Sequence, residues 1–143
     1  DPMLHEKHIR VFQSLPNPVN VLTTHSAWLM SSLVMGANGL LSGAGSVIAP
    51  LQVRLFNAIK NNNLEEAKDI NDKIFPLVQL FYKPPFLDMH NRMKETLVIL
   101  NAMKKAVVRP PLMKLPFEEI EELKNTVNDI NLDNKLNFVK LVV

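Results

Sequence analysis

Cysteine is absent from this sequence, and glycine and the large aromatic residues are scarce. Among 143 residues there are 4 glycines, 1 tryptophan and 1 tyrosine. The lack of cysteine excludes a disulfide scaffold, thiolate chemistry and zinc–thiolate sites. It is also compatible with a reducing compartment, and we therefore expect a cytoplasmic protein.

The sequence also lacks a dominant sign of charge. Lysine and arginine number 16 against 14 aspartate and glutamate residues, which gives a net charge of +2. The basic residues between positions 92 and 109 are followed directly by acidic residues between 118 and 122. Because this balance provides no strong attraction to a polyanion or an anionic surface, we expect no nucleic-acid partner and no membrane partner.

Charged residues are missing altogether from one long stretch, residues 26–53. A run of this length could cross a bilayer, for which about 20 apolar residues suffice. The stretch nevertheless contains all 4 glycines of the sequence and several serines, and frequent small polar residues are costly against lipid. It therefore predicts a buried α/β core and argues against a membrane span.

Two apolar runs in and beside this stretch end in small polar residues. Val19–Leu22 is followed by two threonines and His25, and Gly39–Leu41 is followed by Ser42 and Gly43. The pattern predicts parallel strands over residues 19–24 and 39–43, with a short helix over 26–35 between them. Strands of this kind carry the sites of α/β proteins at their carboxyl ends.

The polar residues at these strand ends have two interpretations each. Thr24 and His25 either face a site or cap the following helix, for which Ser26 is also a candidate N-cap. The glycines after the second strand either let backbone amides approach a ligand or allow a strand to pack tightly against a helix. Gly43–Ser46 begins like a phosphate loop but lacks the lysine of a Walker motif.

The remaining chain is predicted to be helical. Helices are predicted over 6–14, from Pro50 to the asparagines at 61–63, from Leu64 to Phe81, over 87–102 and from near Pro116. Asn63 and Glu66 have the spacing of a capping box, and residues 106–112 should be extended because they precede prolines. His5 and His8 lie three residues apart on the first helix, but they have no third ligand, so we expect a solvated helix face and no metal site.

The order of these elements and three short motifs resemble a known family. Gly36–Ser42, Asn63–Ala67 and Val108–Leu112 are similar to segments in the carboxyl half of the dihydrodipicolinate synthase/N-acetylneuraminate lyase family. The resemblance covers residues 8–132. Residues 85–95 are most similar to the branch that contains keto-deoxy sugar acid dehydratases, such as 2-keto-3-deoxy-L-arabonate dehydratase.

This resemblance implies an α/β fold made of the last two β/α units of a TIM (β/α)8 barrel, followed by a C-terminal helical extension. Residues 1–49 would hold barrel strands 7 and 8, and residues 50–143 the eighth barrel helix and the extension. The partners it implies are the N-terminal half of the barrel and further copies, in a homotetramer or homodimer.

The resemblance also implies a Schiff-base lyase that acts on pyruvate or a 2-keto-3-deoxy sugar acid without a cofactor. The nucleophilic lysine of the family ends the sixth strand and would lie just before Asp1. The relay tyrosine would also lie upstream, and Tyr82 does not correspond to it. We therefore expect no catalytic residue in this segment.

Family positions that contact substrate can be carried over one by one. Thr24 stands where the family often has glycine, His25 where it has an acid, and Leu41 where a backbone carbonyl points to the site. With Ser42 and Gly43, they form the predicted substrate-binding set.

The chain as a whole has two other interpretations. One is a small all-helical interaction module, in which the glycine-rich region is a loop, and the other is a catalytically inactive segment with a structural role.

Overall fold

The computed structural model describes residues 2–132, which form a helix-rich α/β protein. The described residues contain two short strands, β1 (Leu22–Thr23) and β2 (Gly39–Leu40). The α-helices are α1 (Pro2–Gln13), α2 (Leu29–Val34), α3 (Gly45–Lys60), α4 (Leu64–Tyr82), α5 (Met89–Ile99) and α6 (Phe117–Asp129). Single 3₁₀ turns, Ser26–Trp28 and Phe86–Asp88, lead into α2 and α5.

The chain divides into two compact units, residues 1–73 and residues 74–143. Helix α4 begins in the first unit and ends in the second. The boundary predicted between residues 49 and 50 separates the last barrel strands from the eighth barrel helix and the extension. It depends on where these segments lie in a complete barrel, and it stays a prediction.

Strands β1 and β2 are adjacent and parallel, as predicted. Leu22 pairs with Gly39 and Thr23 with Leu40. The ladder is extended by the Leu41 amide, which donates to the Thr23 carbonyl at 2.8 Å. Since Gly39–Leu40 is a strand that pairs with another strand, the interpretation of this region as a loop in an all-helical module is wrong.

Both strands are shorter than predicted because neighbouring residues bond elsewhere. The Val19 amide donates to the Phe12 carbonyl at the end of α1, at 3.1 Å. Beyond β2, the Gly45 amide donates to the Ser42 carbonyl at 3.1 Å, which turns the chain into α3. The paired strands are therefore only two residues long, with one further bond at each end, from the Asn38 amide to the Val21 carbonyl and from the Leu41 amide to the Thr23 carbonyl.

The connection between the strands begins and ends at identifiable residues. Gly36 has a φ of +102°, which lets it end α2 as predicted. The prediction that Ser26 caps the helix is wrong, because the N-terminal position of the 3₁₀ turn is His25 and no side chain caps it. Ser26 is buried, and its hydroxyl bonds instead to a side chain after β2.

Helices α3 and α4 follow their predicted signals. Ile48 has a non-helical backbone (φ −122°, ψ 24°), so the regular part of α3 begins near Pro50, which tolerates a first helical turn. The Glu66 amide donates to Asn63 Oδ1 at 3.2 Å, and Asn63 Nδ2 donates to the Glu66 carboxylate at 3.1 Å. The predicted capping interaction is thereby confirmed, since the side chain of Asn63 accepts a hydrogen bond from a backbone amide in the first turn of α4, which has no partner within the helix.

In the second unit, α5 is shorter than predicted and α6 begins directly after Pro116, as predicted. The chain leaves α5 through Asn101, whose φ is 56°. Residues 103–116 contain no helix or strand, in agreement with the extended segment predicted before the prolines.

Each unit has its own apolar core. In the first unit it includes Ile9, Leu29, Leu33, Val47, Ile48, Leu51 and Leu55, and in the second Ile74, Leu77, Val78, Phe81, Met93, Leu123 and Val127. Among the described residues, every helix is too short or too polar to span a bilayer.

Candidate functional site

The five residues predicted to bind substrate all follow the carboxyl ends of two neighbouring strands. Thr24 and His25 follow β1, and Leu41, Ser42 and Gly43 follow β2. Because β1 and β2 are parallel and in register, both groups lie at the same edge of the sheet. Thr24, Leu41 and Gly43 are exposed, whereas His25 and Ser42 are partly buried.

A cavity of about 300 Å³ lies at the end of β1. Its polar lining comes from Thr23, Thr24 and His25, from Ser32 on α2 and from His5 on α1; Leu22, Trp28 and Met35 supply the apolar lining. The structure therefore brings Thr24 and His25 to one cavity. Leu41, Ser42 and Gly43, the three candidates after β2, do not line this cavity.

His5 is a member of this cavity that the sequence did not assign to a site. Its Nε2 atom is buried and has no hydrogen-bond partner among the described residues. We expected His5 on a solvated helix face because histidines three residues apart without a third ligand are a weak signal. Only the packing of α1 beside the end of β1 places this nitrogen in the cavity.

His25 has a lowered pKa. Burial of the imidazole lowers the pKa most, and a backbone hydrogen bond raises it in part. The neutral imidazole is therefore favoured near pH 7. A neutral imidazole offers one donor and one acceptor, which suits hydroxyl and carboxyl groups of a small ligand.

Ser42 belongs to a buried hydrogen-bond cluster with Ser26 and Gln52. The two serine hydroxyls bond to each other. The Gln52 amide donates to Ser26 Oγ at 3.2 Å and to Ser42 Oγ at 3.0 Å. Ser26 and Gln52 are 3% and 1% exposed. The cluster thus joins the chain after β1, the chain after β2 and helix α3.

Sequence reasoning missed Ser26 and Gln52 as members of this arrangement. The available signal was Gln52 itself, a polar residue between Leu51 and Val53 in α3. Gly45 leaves room for it, because a Cβ added there would lie 3.3 Å from Gln52 Oε1. A side chain at this position would therefore have to displace the Gln52 amide by a few tenths of an ångström.

Across residues 2–132, no three histidine, aspartate or glutamate side chains are grouped so that they could hold a metal ion. The polar groups at the strand ends are hydroxyls, an amide and imidazoles, which bind organic ligands through hydrogen bonds.

Parallel strands joined by a helical crossover, with polar groups after their carboxyl ends, are the repeating arrangement of α/β barrels and doubly wound sheets. The chain belongs to the dihydrodipicolinate synthetase family, whose model matches residues 4–130. The family resemblance stated from sequence is therefore confirmed. Its narrower assignment to the sugar acid dehydratase branch stays a prediction.

Similar proteins share this fold over nearly the whole chain. A curated 4-hydroxy-tetrahydrodipicolinate synthase from Oceanobacillus iheyensis is 21% identical over 125 residues, which cover 87% of this chain and 41% of that protein. The crystal structure of dihydrodipicolinate synthase from Thermotoga maritima matches with a TM-score of 0.81 and 19% identity, covering 92% of this chain and 43% of that one.

A third similar protein is YagE, a prophage protein of the dihydrodipicolinic acid synthase family from Escherichia coli K12, solved in complex with pyruvate. It matches with a TM-score of 0.81 and 19% identity, covering 92% of this chain and 44% of that one. The present chain thus spans less than half the length of these relatives.

Proposed function

We propose that this chain forms the seventh and eighth β/α units and the C-terminal helical extension of a (β/α)8 barrel that acts as a Schiff-base lyase on a 2-keto acid. Family membership over residues 4–130 is the observation that carries the proposal. Two features of the structure support it. One is the parallel pairing of β1 with β2. The other is the presence of polar groups after both strands, Thr24 and His25 in the cavity after β1 and Ser42 in the hydrogen-bond cluster after β2.

The chemistry requires a lysine whose amine attacks the ketone of the substrate. The iminium ion that forms withdraws electrons and acidifies the neighbouring carbon, which permits elimination or carbon–carbon cleavage. Lys60, Lys68 and Lys73 lie on helices α3 and α4 and are exposed, so none follows a strand. We propose that the lysine and the relay tyrosine come from the sixth and fifth strands of the complete barrel.

The substrate we propose is pyruvate or, more specifically, a 2-keto-3-deoxy sugar acid. YagE has been solved in complex with pyruvate, which supports a 2-keto acid. Thr24 and His25 supply a hydroxyl and a neutral imidazole to one cavity, and such groups can bond to the hydroxyls of a sugar acid. In its protonated form, which the lowered pKa confines to acidic pH, His25 can also assist loss of a hydroxyl as a general acid. Leu41, Ser42 and Gly43 would complete the substrate contacts. The complete protein would assemble as a homotetramer or homodimer.

Borohydride trapping tests the proposed reaction. The protein with its complete barrel is incubated with pyruvate or a 2-keto-3-deoxy sugar acid, reduced, and analysed by mass spectrometry. We expect one reduced adduct per chain, located by peptide mapping to the lysine at the end of the sixth strand. If no adduct forms with either compound, Schiff-base chemistry is wrong for this protein.

Two variants test the proposed site. Thr24→Ala and His25→Ala should keep the pyruvate adduct and lower the turnover of sugar acid, by roughly 100-fold if His25 is the general acid. Thr126→Ala is a matched control, since its hydroxyl bonds within α6 to the Glu122 carbonyl. If both variants turn over sugar acids as fast as the parent protein, the site assignment is wrong.

A further inference from the structure

A second cavity lies within the unit formed by residues 74–143. It measures about 460 Å³ and is bounded by α5 on one side and by residues 104–114 on the other. Its charged lining consists of Glu95 from α5 and of Lys104, Lys105 and Lys114 from the non-helical segment. Valine and leucine side chains supply the apolar part of the lining.

Two hydrogen bonds hold the segment 104–114 against α5. The buried Asn91 side chain donates to the Met113 carbonyl at 2.8 Å. Lys94 Nζ donates to the Val107 carbonyl at 2.7 Å. Both donors lie on α5 within about one helical turn before Glu95, so these bonds fix the segment beside the helix at the cavity. A preformed cavity of this size can accept a small organic ligand.

Glu95 is the unusual residue of this cavity. It is only 7% exposed, yet among the described residues it has neither a hydrogen bond nor an ion pair within 4 Å. The carboxylate oxygens themselves remain accessible at the cavity, where they can accept hydrogen bonds from a ligand. Lys104, Lys105 and Lys114 are exposed, and they have no acidic partner in the described part of the chain. The cavity therefore has cations at its rim and an acceptor in its lining, with a surplus of positive charge.

We propose that this cavity binds a small polyhydroxylated carboxylate. The lysine ammonium groups would bind the carboxylate by charge-assisted hydrogen bonds. Hydroxyl groups of the ligand would donate to the Glu95 carboxylate, which a simple anion cannot do. The apolar side chains Val98 and Leu112 would contact the carbon chain. The site rests on residues 95–114 alone and does not depend on the proposed Schiff-base reaction.

Gluconate is the probe, because it has a carboxylate and hydroxyls but no ketone with which to form a Schiff base. Its binding to the intact protein is measured by titration calorimetry, beside sorbitol, which lacks the charge, and inorganic phosphate, which lacks the polyol chain. We expect saturable binding of gluconate and at least tenfold weaker binding of the other two, since a hydrogen bond to a charged group contributes about 1.5–3 kcal/mol.

Variants locate the binding. Lys104→Gln with Lys105→Gln should weaken gluconate binding about tenfold or more, whereas Lys124→Gln, on α6 and outside the cavity, should leave it unchanged. Glu95→Gln should weaken gluconate binding by several-fold and strengthen phosphate binding, because the repulsive charge is removed while the ligand hydroxyls lose a strong acceptor. Opposite effects on the two probes would not follow from a general loss of folding.

Three results would overturn the inference. The first is the absence of saturable gluconate binding to the parent protein. The second is unchanged binding in the double lysine variant, which folds independently of these exposed side chains. The third is loss of gluconate binding once a pyruvate adduct has been trapped by borohydride, since gluconate would then occupy the Schiff-base site.

Discussion

Gln52 shows how one buried side chain can connect separate parts of a site. Its amide donates to hydroxyls that follow two different strands, at 3.2 and 3.0 Å. Those hydroxyls, on Ser26 and Ser42, also bond to each other. Since Ser42 is a proposed substrate contact, Gln52 fixes the position of a site residue from the helix behind it.

Replacing Gln52 with leucine should lower the free energy of unfolding by about 1–3 kcal/mol, because the buried Ser26 hydroxyl and the partly buried Ser42 hydroxyl lose a donor. Chemical denaturation measures the change. Gln13→Leu is the matched control, since Gln13 donates two bonds of 2.7 and 2.8 Å at a less buried position where water can replace it. An equal loss in both variants would contradict the importance of burial.

His25 makes stability depend on pH. Burial lowers its pKa in the folded state relative to about 6.5 in an unfolded chain. The unfolded state therefore binds more protons as the pH falls below about 6.5, and the free energy of unfolding decreases in that range. Above it, both states are neutral and His25 contributes no dependence.

Denaturation of the parent protein and of His25→Asn at a series of pH values tests this sign. We expect the variant to lose part of the decrease seen between about pH 6.5 and 5. His8→Asn, an exposed residue of α1, is the control. A steeper decrease in His25→Asn than in the parent protein would show that the imidazole is instead stabilised by its charge.

At the scale of elements, one arginine stabilises the Pro84-Pro85 segment that separates α4 from α5. Arg92 is fully buried and pairs with Glu119 of α6. Its Nη1 donates to the Lys83 carbonyl at 2.6 Å and to the Phe81 and Pro85 carbonyls at 3.3 Å. From sequence, Arg92 was one member of a basic cluster, and nothing in that cluster distinguished it from its exposed neighbours.

Arg92→Met should lower the free energy of unfolding by about 3–5 kcal/mol, since it leaves a partly buried carboxylate and several carbonyls without their donor. Arg92→Lys keeps the charge and should cost less. Arg109→Met, at an exposed position, should change stability by less than about 0.5 kcal/mol. Chemical denaturation of the three variants tests the order, and a loss for Arg92→Met no larger than for Arg109→Met would refute it.

At the scale of the whole molecule, the first unit exposes apolar side chains along and beside its two strands. Val19, Leu22 and Leu41 are 52%, 47% and 70% exposed, and Trp28 is 52% exposed. Two strands do not form a sheet that is stable alone, and exposed strand edges pair with other chains. These side chains are where the proposed barrel would continue.

We expect the polypeptide of residues 1–143 by itself to associate, as measured by size-exclusion chromatography with light scattering. Leu22→Lys with Leu41→Lys should reduce the association, because charge at a strand edge opposes pairing. Val53→Lys, at a position on α3 that is 48% exposed, is the control. A monomer that melts cooperatively would contradict the proposal of a partial barrel.

The sequence alone determined the family, the parallel strands and most helix ends. These features depend on local patterns, such as the apolar runs that end in polar residues, Gly36 after α2 and Asn63 with Glu66 before α4. The lengths of the strands were overestimated because apolar character does not reveal which amides find a partner on another strand.

Only the tertiary structure decided which polar side chains meet. Ser26 bonds to Ser42 and Gln52 instead of capping a helix, His5 reaches the cavity at Thr24 and His25, and Glu95 lies in a cavity with three lysines. The physical reason is that burial and pairing depend on neighbours distant in sequence, which a local pattern of residues does not specify.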